Sequence, residues 1–188
     1  MTMRCIQSPT GRPAARAQAL RAQVPAIETA RLTLRAATLA DFPAWARLLV
    51  PDEEGFMGGP HSEEEAWEAF CVYVAGWMLH GYGLWAVTRK NDDASLGFVL
   101  VGLEWGDAEP ELGWMFLPEA RGEGLATEAA RAARDWALGT GGLDTLVSYV
   151  HPGNSTSIAL AERIGASRNA LNPHPVEDAL AFRHEAAL

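Results

Sequence analysis

Apolar residues along this chain change their spacing several times, and each change marks an element. In "TARLTLRAA" Leu32 and Leu34 alternate with polar neighbours, the period-two pattern of a half-buried strand. "TLADFPAWARLL" follows with helical spacing, and Thr38 and Asp41 stand at capping-box separation ahead of it. The loop "PDEEGFMGGP" holds three glycines and two prolines and must turn sharply. "SEEEAWEAFCVYVAGWMLHG" then returns to a helical period. Ser62 and Glu65 form a second capping box, acids sit at the positive helix end, and Gly81 supplies the stop. Trp67, Phe70, Cys71, Val74, Trp77 and Met78 share one face, which is expected to pack in the core.

The period then shortens. "GLWAVTRK" and "SLGFVLVGLEW", joined by the turn "NDDA", read as a hairpin, and "ELGWMFL" is a further strand ended by Pro118. A glycine-bearing loop leads into an alanine-rich helix at about Thr127–Leu138. The turn "GTGG", a strand "DTLVSYV", the turn "HPGN", a helix "STSIALAERIG" and a last strand in "EDALAFRH" complete the chain. The order β-α-α-β-β-β-α-β-α-β places antiparallel strands ahead of one parallel β-α-β crossover. That is an α/β fold with a mixed, mostly antiparallel central sheet and flanking helices.

Composition narrows the function classes. A chain of 188 residues, 48% hydrophobic with seven tryptophans, suits one folded domain. No apolar run reaches the roughly 18–20 residues that span a membrane. Cys5 and Cys71 lie far apart without a partner pattern, which argues against a disulfide framework and for a reducing, cytoplasmic setting. The histidines show no ligand spacing, so no metal is assigned. The net charge is −9, but Arg4, Arg12, Arg16 and Arg21 give residues 1–26 a charge of +4, leaving −13 on the rest. An acidic body repels nucleic-acid phosphate and suits a cationic partner such as an amine, or serves solubility alone. Residues 1–26, broken by "SPTGRP", read as a flexible tail or a short added helix, and the domain proper as 27–188.

In "LPEARGEGLATEAARAARDWAL" Gly122 and Gly124 stand directly before the helix. Helix starts leave backbone N–H groups unpaired, and the macrodipole adds positive charge there. Glycines let those amides converge on one spot, an arrangement that suits a phosphate or diphosphate. Ala126, Ala129, Ala130, Ala133 and Ala137 let the helix lie close to the sheet. The Walker loop is excluded because no G-K-[ST] is present. "GEGLAT" with Asp144 twenty residues after Gly124 approaches a dinucleotide fingerprint, but Thr127 replaces its third glycine and antiparallel strands precede it. A tight turn that binds nothing also fits the pattern.

"RGEGLA" matches R/Q-x-x-G-x-G/A through Arg121, Gly124 and Ala126, and with it the chain resembles the GNAT superfamily of N-acetyltransferases over about residues 27–185. "TARLTLRAATLADF", "GYGLWAV", "ELGWMFLPEARGEGLATEAA" and "PGNSTSIALAERIGA" stand in the family order. "LATEAA" and N-x-x-S look most like the RimJ/RimL-type branch, whose namesakes acetylate ribosomal-protein N-termini. The resemblance implies acetyl-CoA as co-substrate, its diphosphate on the amides of Arg121, Gly122, Glu123, Gly124, Leu125, Ala126 and Thr127. It implies that Trp114, Met115 and Phe116 flank the pantetheine arm between two diverging strands, and that a backbone N–H near Trp114 polarises the thioester carbonyl.

Acetyl transfer to an amine needs a base for the ammonium and an acid for the thiolate. Many members of the family carry a tyrosine seven residues after an asparagine. Counted from Asn154, that position is Ala161, so the tyrosine is absent. Ser157 offers a hydroxyl instead, although serines in a helix's first turn also satisfy free amides. For Asn154 the resemblance implies contact with the cofactor arm, with cap duty as the alternative. Glu111 is the first candidate base, Glu104 the reserve, and Tyr149 and His151 could line the same gap. Asp52, Glu53, Glu54, Glu63, Glu64 and Glu65 would attract a cation, with Phe56 and Met57 contacting an apolar part. The expected activity is direct transfer to a protein N-terminus or small amine in a ternary complex. A non-catalytic acyl-CoA-binding sensor is the alternative. Oligomeric state stays open, a homodimer included.

Overall fold

A computed structural model describes residues 3–53, 55–169 and 179–185. Glu54, and Glu177 and Asp178 of the expected last strand, lie outside the described residues. The chain runs through α1 (Gly11–Arg21), β1 (Ile27–Glu28), β2 (Leu32–Ala36), α2 (Phe42–Leu49) and α3 (Glu63–Leu79). The hairpin β3 (Leu84–Arg89) and β4 (Ser95–Gly102) leads to β5 (Glu111–Phe116) and α4 (Leu125–Leu138). Then come β6 (Val147–Val150), α5 (Ser155–Arg163), β7 (Ser167–Asn169) and β8 (Leu180–Arg183).

These strands form one sheet ordered β1-β2-β3-β4-β5-β6-β8-β7. Every pairing is antiparallel except β5 with β6, which flank the α4 crossover. The expected architecture therefore holds. The additions are the short strands β1 and β7; of the two readings of residues 1–26 the structure has the short helix, α1, which has no buried residue. The 3₁₀ turn Arg4–Ile6 precedes α1, and its Ile6 packs on the α2–α3 side of the core.

Local chemistry sets the element ends. In the first capping box the Asp41 carboxylate accepts from the Thr38 backbone N–H at 2.7 Å and from its hydroxyl at 2.8 Å. In the second, Ser62 and Glu65 exchange bonds of 2.7 Å and 3.1 Å. Asp41 does more than cap: it is 3% exposed and takes a two-pronged grip from Arg35 at 2.8 and 2.9 Å, plus a bond from the Ser95 hydroxyl. Burial alone would raise its pKa, yet the bonds from Arg35, Ser95 and Thr38 outweigh that and hold it below the usual carboxylate range. Asp41→Ala strands Arg35 and the Ser95 hydroxyl, and is expected to cost about 2 kcal/mol in urea denaturation.

Two apolar clusters cover the two faces of the sheet. On one, Ala129, Ala130, Ala133 and Ala137 of α4 are fully buried against Trp85, Val99 and Leu112, so small side chains bring helix and sheet together. On the other, Trp45 and Phe70 of α2 and α3 pack edge-to-face on one another, and Trp45 on Phe98. The face expected for α3 is only partly right. Phe70 is buried and Trp67, Cys71, Val74 and Trp77 are half-buried, but Met78 is 75% exposed. Val72 and Leu79 are exposed too, because α3 carries apolar residues on all sides and its spacing does not single out one face.

Candidate active site

The sheet splits between β5 and β6. They share one register pair, Glu111 with Val147, where the Val147 N–H donates to the Pro110 carbonyl at 3.0 Å. A parallel ladder would continue with Tyr149 N–H donating to the Leu112 carbonyl. Side chains intervene instead. Tyr149 N–H donates to the Glu111 carboxylate at 3.3 Å, and the Ser148 hydroxyl donates to the Leu112 carbonyl at 2.6 Å. The hydroxyl's single proton is thereby used, so it accepts from His184 Nε2–H at 2.9 Å. Burial, with Arg134 nearby, lowers the His184 pKa to about 4. Beyond this point β5 continues along β4 alone, with Gly113 to Phe116 paired to Leu100 to Gly97.

Past the split lies a cleft of about 930 Å³. Trp114, Met115 and Phe116 form one side, Asn154 and Ser157 of α5 the other, and Arg121 and Ala126 the end. Trp114 Nε1–H donates to Ser157 Oγ at 3.3 Å, leaving the Ser157 proton for another acceptor. Asn154 caps α5, its side-chain oxygen accepting from Ser157 N–H at 3.0 Å. Position 161 faces inward with Val150, Ala166 and Phe182, so a tyrosine there would enter the core and not the cleft.

The loop between β5 and α4 turns on Gly122 and Gly124, at φ of 82° and 75°. Those are left-handed conformations that residues with a Cβ adopt at a cost. Among the described residues, none of the backbone N–H groups from Gly122 to Thr127 donates to a backbone carbonyl, whereas Glu128 N–H donates to Gly124. Side chains in this stretch have other duties. Leu125 is buried in the core, Thr127 accepts from Arg163 at 3.3 Å, and the Glu123 carboxylate is bound by Arg89 at 2.8 and 2.9 Å. Arg121 Nε–H donates to the Phe116 carbonyl at 3.1 Å. Gly124 and Thr127 border a separate, smaller hollow of about 540 Å³, with Arg31 and Glu128.

Glu111 sits at the split, not among the cleft-lining residues. Burial pushes its carboxyl up to about 7; Glu104 and Asp107 add to this, and the Tyr149 N–H opposes it. Glu104 accepts from the Tyr73 hydroxyl and is exposed. Tyr149 continues from the split along β6. His151 is exposed, its Nδ1 accepts from Gly153 N–H at 3.0 Å, and its ring lies 5.2 Å from that of Phe56. Of the acids placed on the acceptor side, Asp52 is committed to its own loop, accepting from Met57 and Gly59 N–H at 3.1 and 2.8 Å. Glu65 is committed to its cap, and Glu64 does not line the cleft. Glu53 and Glu63 do, with Phe56 and Met57, and Asp52 lines the cleft as well while its carboxylate holds the loop.

A split mixed sheet, a cleft beside it and a loop before a helix whose amides, among the described residues, meet no backbone carbonyl make up the candidate site of this α/β fold. Residues 31–167 match the model of the acetyltransferase (GNAT) domain, and the chain belongs to that family. An acetyltransferase from Agrobacterium tumefaciens is 37% identical, with a TM-score of 0.83 over 86% of this chain and 95% of that one. The curated Bacillus subtilis protein YkkB is 34% identical over 89 residues, 46% of this chain and 51% of its own length. The chain thus spans about half the length of the curated relatives it matches. Two solved structures share the fold at lower identity. The acetyltransferase of Salmonella typhimurium that modifies the N-terminal serine of ribosomal protein L7/L12 is 16% identical, with a TM-score of 0.66 over 85% and 96% of the chains. Spermidine N-acetyltransferase of Vibrio cholerae, solved with CoA and spermine, is 20% identical, with a TM-score of 0.64 over 82% and 94%. No helix among the described residues is long and apolar enough to cross a membrane.

Proposed function

We propose that this protein transfers an acetyl group from acetyl-CoA to a primary amine, in a domain formed by residues 27–188 with 1–26 as an accessory segment. The observation that carries the reading is the run of N–H groups from Gly122 to Thr127 that, among the described residues, donate to no backbone carbonyl, in the loop whose Arg121 and Ala126 line the end of the cleft beside the strand split. Those amides and the α4 dipole fit a diphosphate. The free edge of β5 at Trp114–Phe116 fits an extended amide-bearing arm, held as a strand would be. Acetyl-CoA supplies the activated acetyl thioester. The chain's own part is to bind it, aim it at the split and move protons.

At the split, the raised pKa of Glu111 suits a general base near neutral pH. One carboxylate oxygen holds the Tyr149 N–H, and the other is the candidate acceptor for the ammonium proton. Ser157, oriented by the Trp114 indole, donates its hydroxyl proton as a hydrogen bond to the leaving sulfur. Ser157→Ala is therefore expected to lower kcat about tenfold with little change in CoA affinity; unchanged turnover removes Ser157 from the mechanism.

Glu53 and Glu63, with the apolar Phe56 and Met57, support a cationic acceptor that has an apolar portion. The resemblance to the RimJ/RimL-type branch favours a protein N-terminus; the spermidine enzyme's fold keeps a polyamine in view. Free-thiol release from acetyl-CoA across a panel of peptide N-termini and small amines decides between them. CoA binding without thiol release from any amine would instead identify an acyl-CoA sensor, the reading that the core-facing Ala161 favours.

A further inference from the structure

We propose that Arg31 and Arg89 are positioning residues for the diphosphate loop, Arg31 by fixing one of its peptide planes and Arg89 by neutralising its carboxylate. The inference rests on the reading of residues 122–127 as the diphosphate site.

Arg31 precedes β2 and reaches across to the loop, where its Nη1–H donates to the Glu123 carbonyl at 3.0 Å. A trans peptide points its C=O and the next N–H in opposite directions. Drawing the Glu123 carbonyl toward Arg31 therefore sends the Gly124 N–H the other way. The neighbouring glycines, both at positive φ, leave this plane free to rotate unless something holds it. Arg31 is itself fixed. Its Nε–H donates to Glu128 at 2.7 Å and its backbone N–H to the same carboxylate at 2.9 Å, and the Thr29 hydroxyl binds there at 2.6 Å. Glu128 lies in the first turn of α4, the helix whose amides the loop extends.

Arg89 answers a different problem. Glu123 puts a carboxylate inside a loop that must receive an anion, and unpaired it would repel the diphosphate. Arg89, at the end of β3, binds both carboxylate oxygens at 2.9 and 2.8 Å through one guanidinium nitrogen. Arg89 and Glu123 are 41% and 47% exposed as side chains, so their pairing adds little to folding stability. Its effect falls on the anion.

Calorimetric titration of coenzyme A and of pantetheine, which lacks the diphosphate, tests both halves on the full chain. Arg89→Ala is expected to weaken coenzyme A about tenfold and leave pantetheine unchanged, and adding Glu123→Gln to that variant should restore coenzyme A binding. Arg31→Ala should also weaken coenzyme A about tenfold, with Arg31→Lys no better, because a single ammonium lacks the fork that spans Glu123 and Glu128. In turnover, both single variants should raise KM for acetyl-CoA and spare kcat. Suppose the wild type binds coenzyme A and Gly124→Asp does not, yet both arginine variants bind like wild type: the proposal is overturned and the loop assignment stands. If Glu123→Gln fails to rescue Arg89→Ala, the neutralising role is wrong. If the wild type does not bind coenzyme A, the loop assignment falls and takes the proposal with it.

Discussion

Gly124→Asp is expected to leave the protein folded and to weaken coenzyme A binding about a thousandfold. Two like charges in contact near a protein surface repel by about 4 kcal/mol, and the new carboxylate would stand on the loop whose amides are to hold the diphosphate. The fold should tolerate the change. A Cβ built at Gly124 meets only the Arg31 guanidinium, at 3.8 Å, and an aspartate adopts the left-handed conformation at a cost of about 1 kcal/mol. Circular dichroism and a urea titration check the fold, and calorimetry checks the affinity. Normal coenzyme A binding by the variant would place the coenzyme elsewhere.

Glu111→Gln should lower kcat by about a hundredfold or more while making the protein more stable in mild alkali. Both effects come from the same raised pKa. In the unfolded chain this carboxyl has its ordinary value of 4.5, and in the folded protein about 7. The folded state binds the proton more tightly, so its stabilising contribution is complete below about 4.5 and is lost as pH rises through about 7. At about pH 8 the ionised carboxylate costs about 3 kcal/mol, which the neutral amide avoids while still accepting from Tyr149 N–H. Turnover of the wild type should rise with pH through about 7 as the base ionises, and the variant should lose that limb. A variant with wild-type kcat would end the assignment of Glu111 as the base.

His184 has the opposite sign. Its pKa falls from 6.5 to about 4 on folding, so its contribution is present above 6.5 and is lost as pH drops toward 4. Between about 4.5 and 6.5 the two groups offset one another in the wild type. Removing Glu111 should expose the histidine slope, and denaturation at several pH values would show stability declining more steeply toward acid than in the wild type.

Much of this was legible in residue order. Both capping boxes follow from side chains three positions apart, and the hairpin from alternation on either side of "NDDA". The glycines at 122 and 124 announced a turn that needs positive φ. What stayed hidden depends on residues distant in the chain. The broken rung needs Glu111 beside Tyr149 and Ser148 beside Leu112, contacts that no local period encodes. Arg31 and Arg89 carry no local signal, and only folding places them against Glu123. Asp52 read as acceptor electrostatics and does line the cleft, but that its carboxylate also closes its own loop was not legible. Strands of two or three residues, such as β1 and β7, are too short for alternation to show.

Where β5 leaves β6, an acid and a hydroxyl take over from peptide groups the task of joining the two halves of the sheet. Main-chain pairing is nearly indifferent to sequence, but this seam is not. The width of the opening is thus written in side chains at 111 and 148, and relatives could tune that aperture by single substitutions without rebuilding either strand.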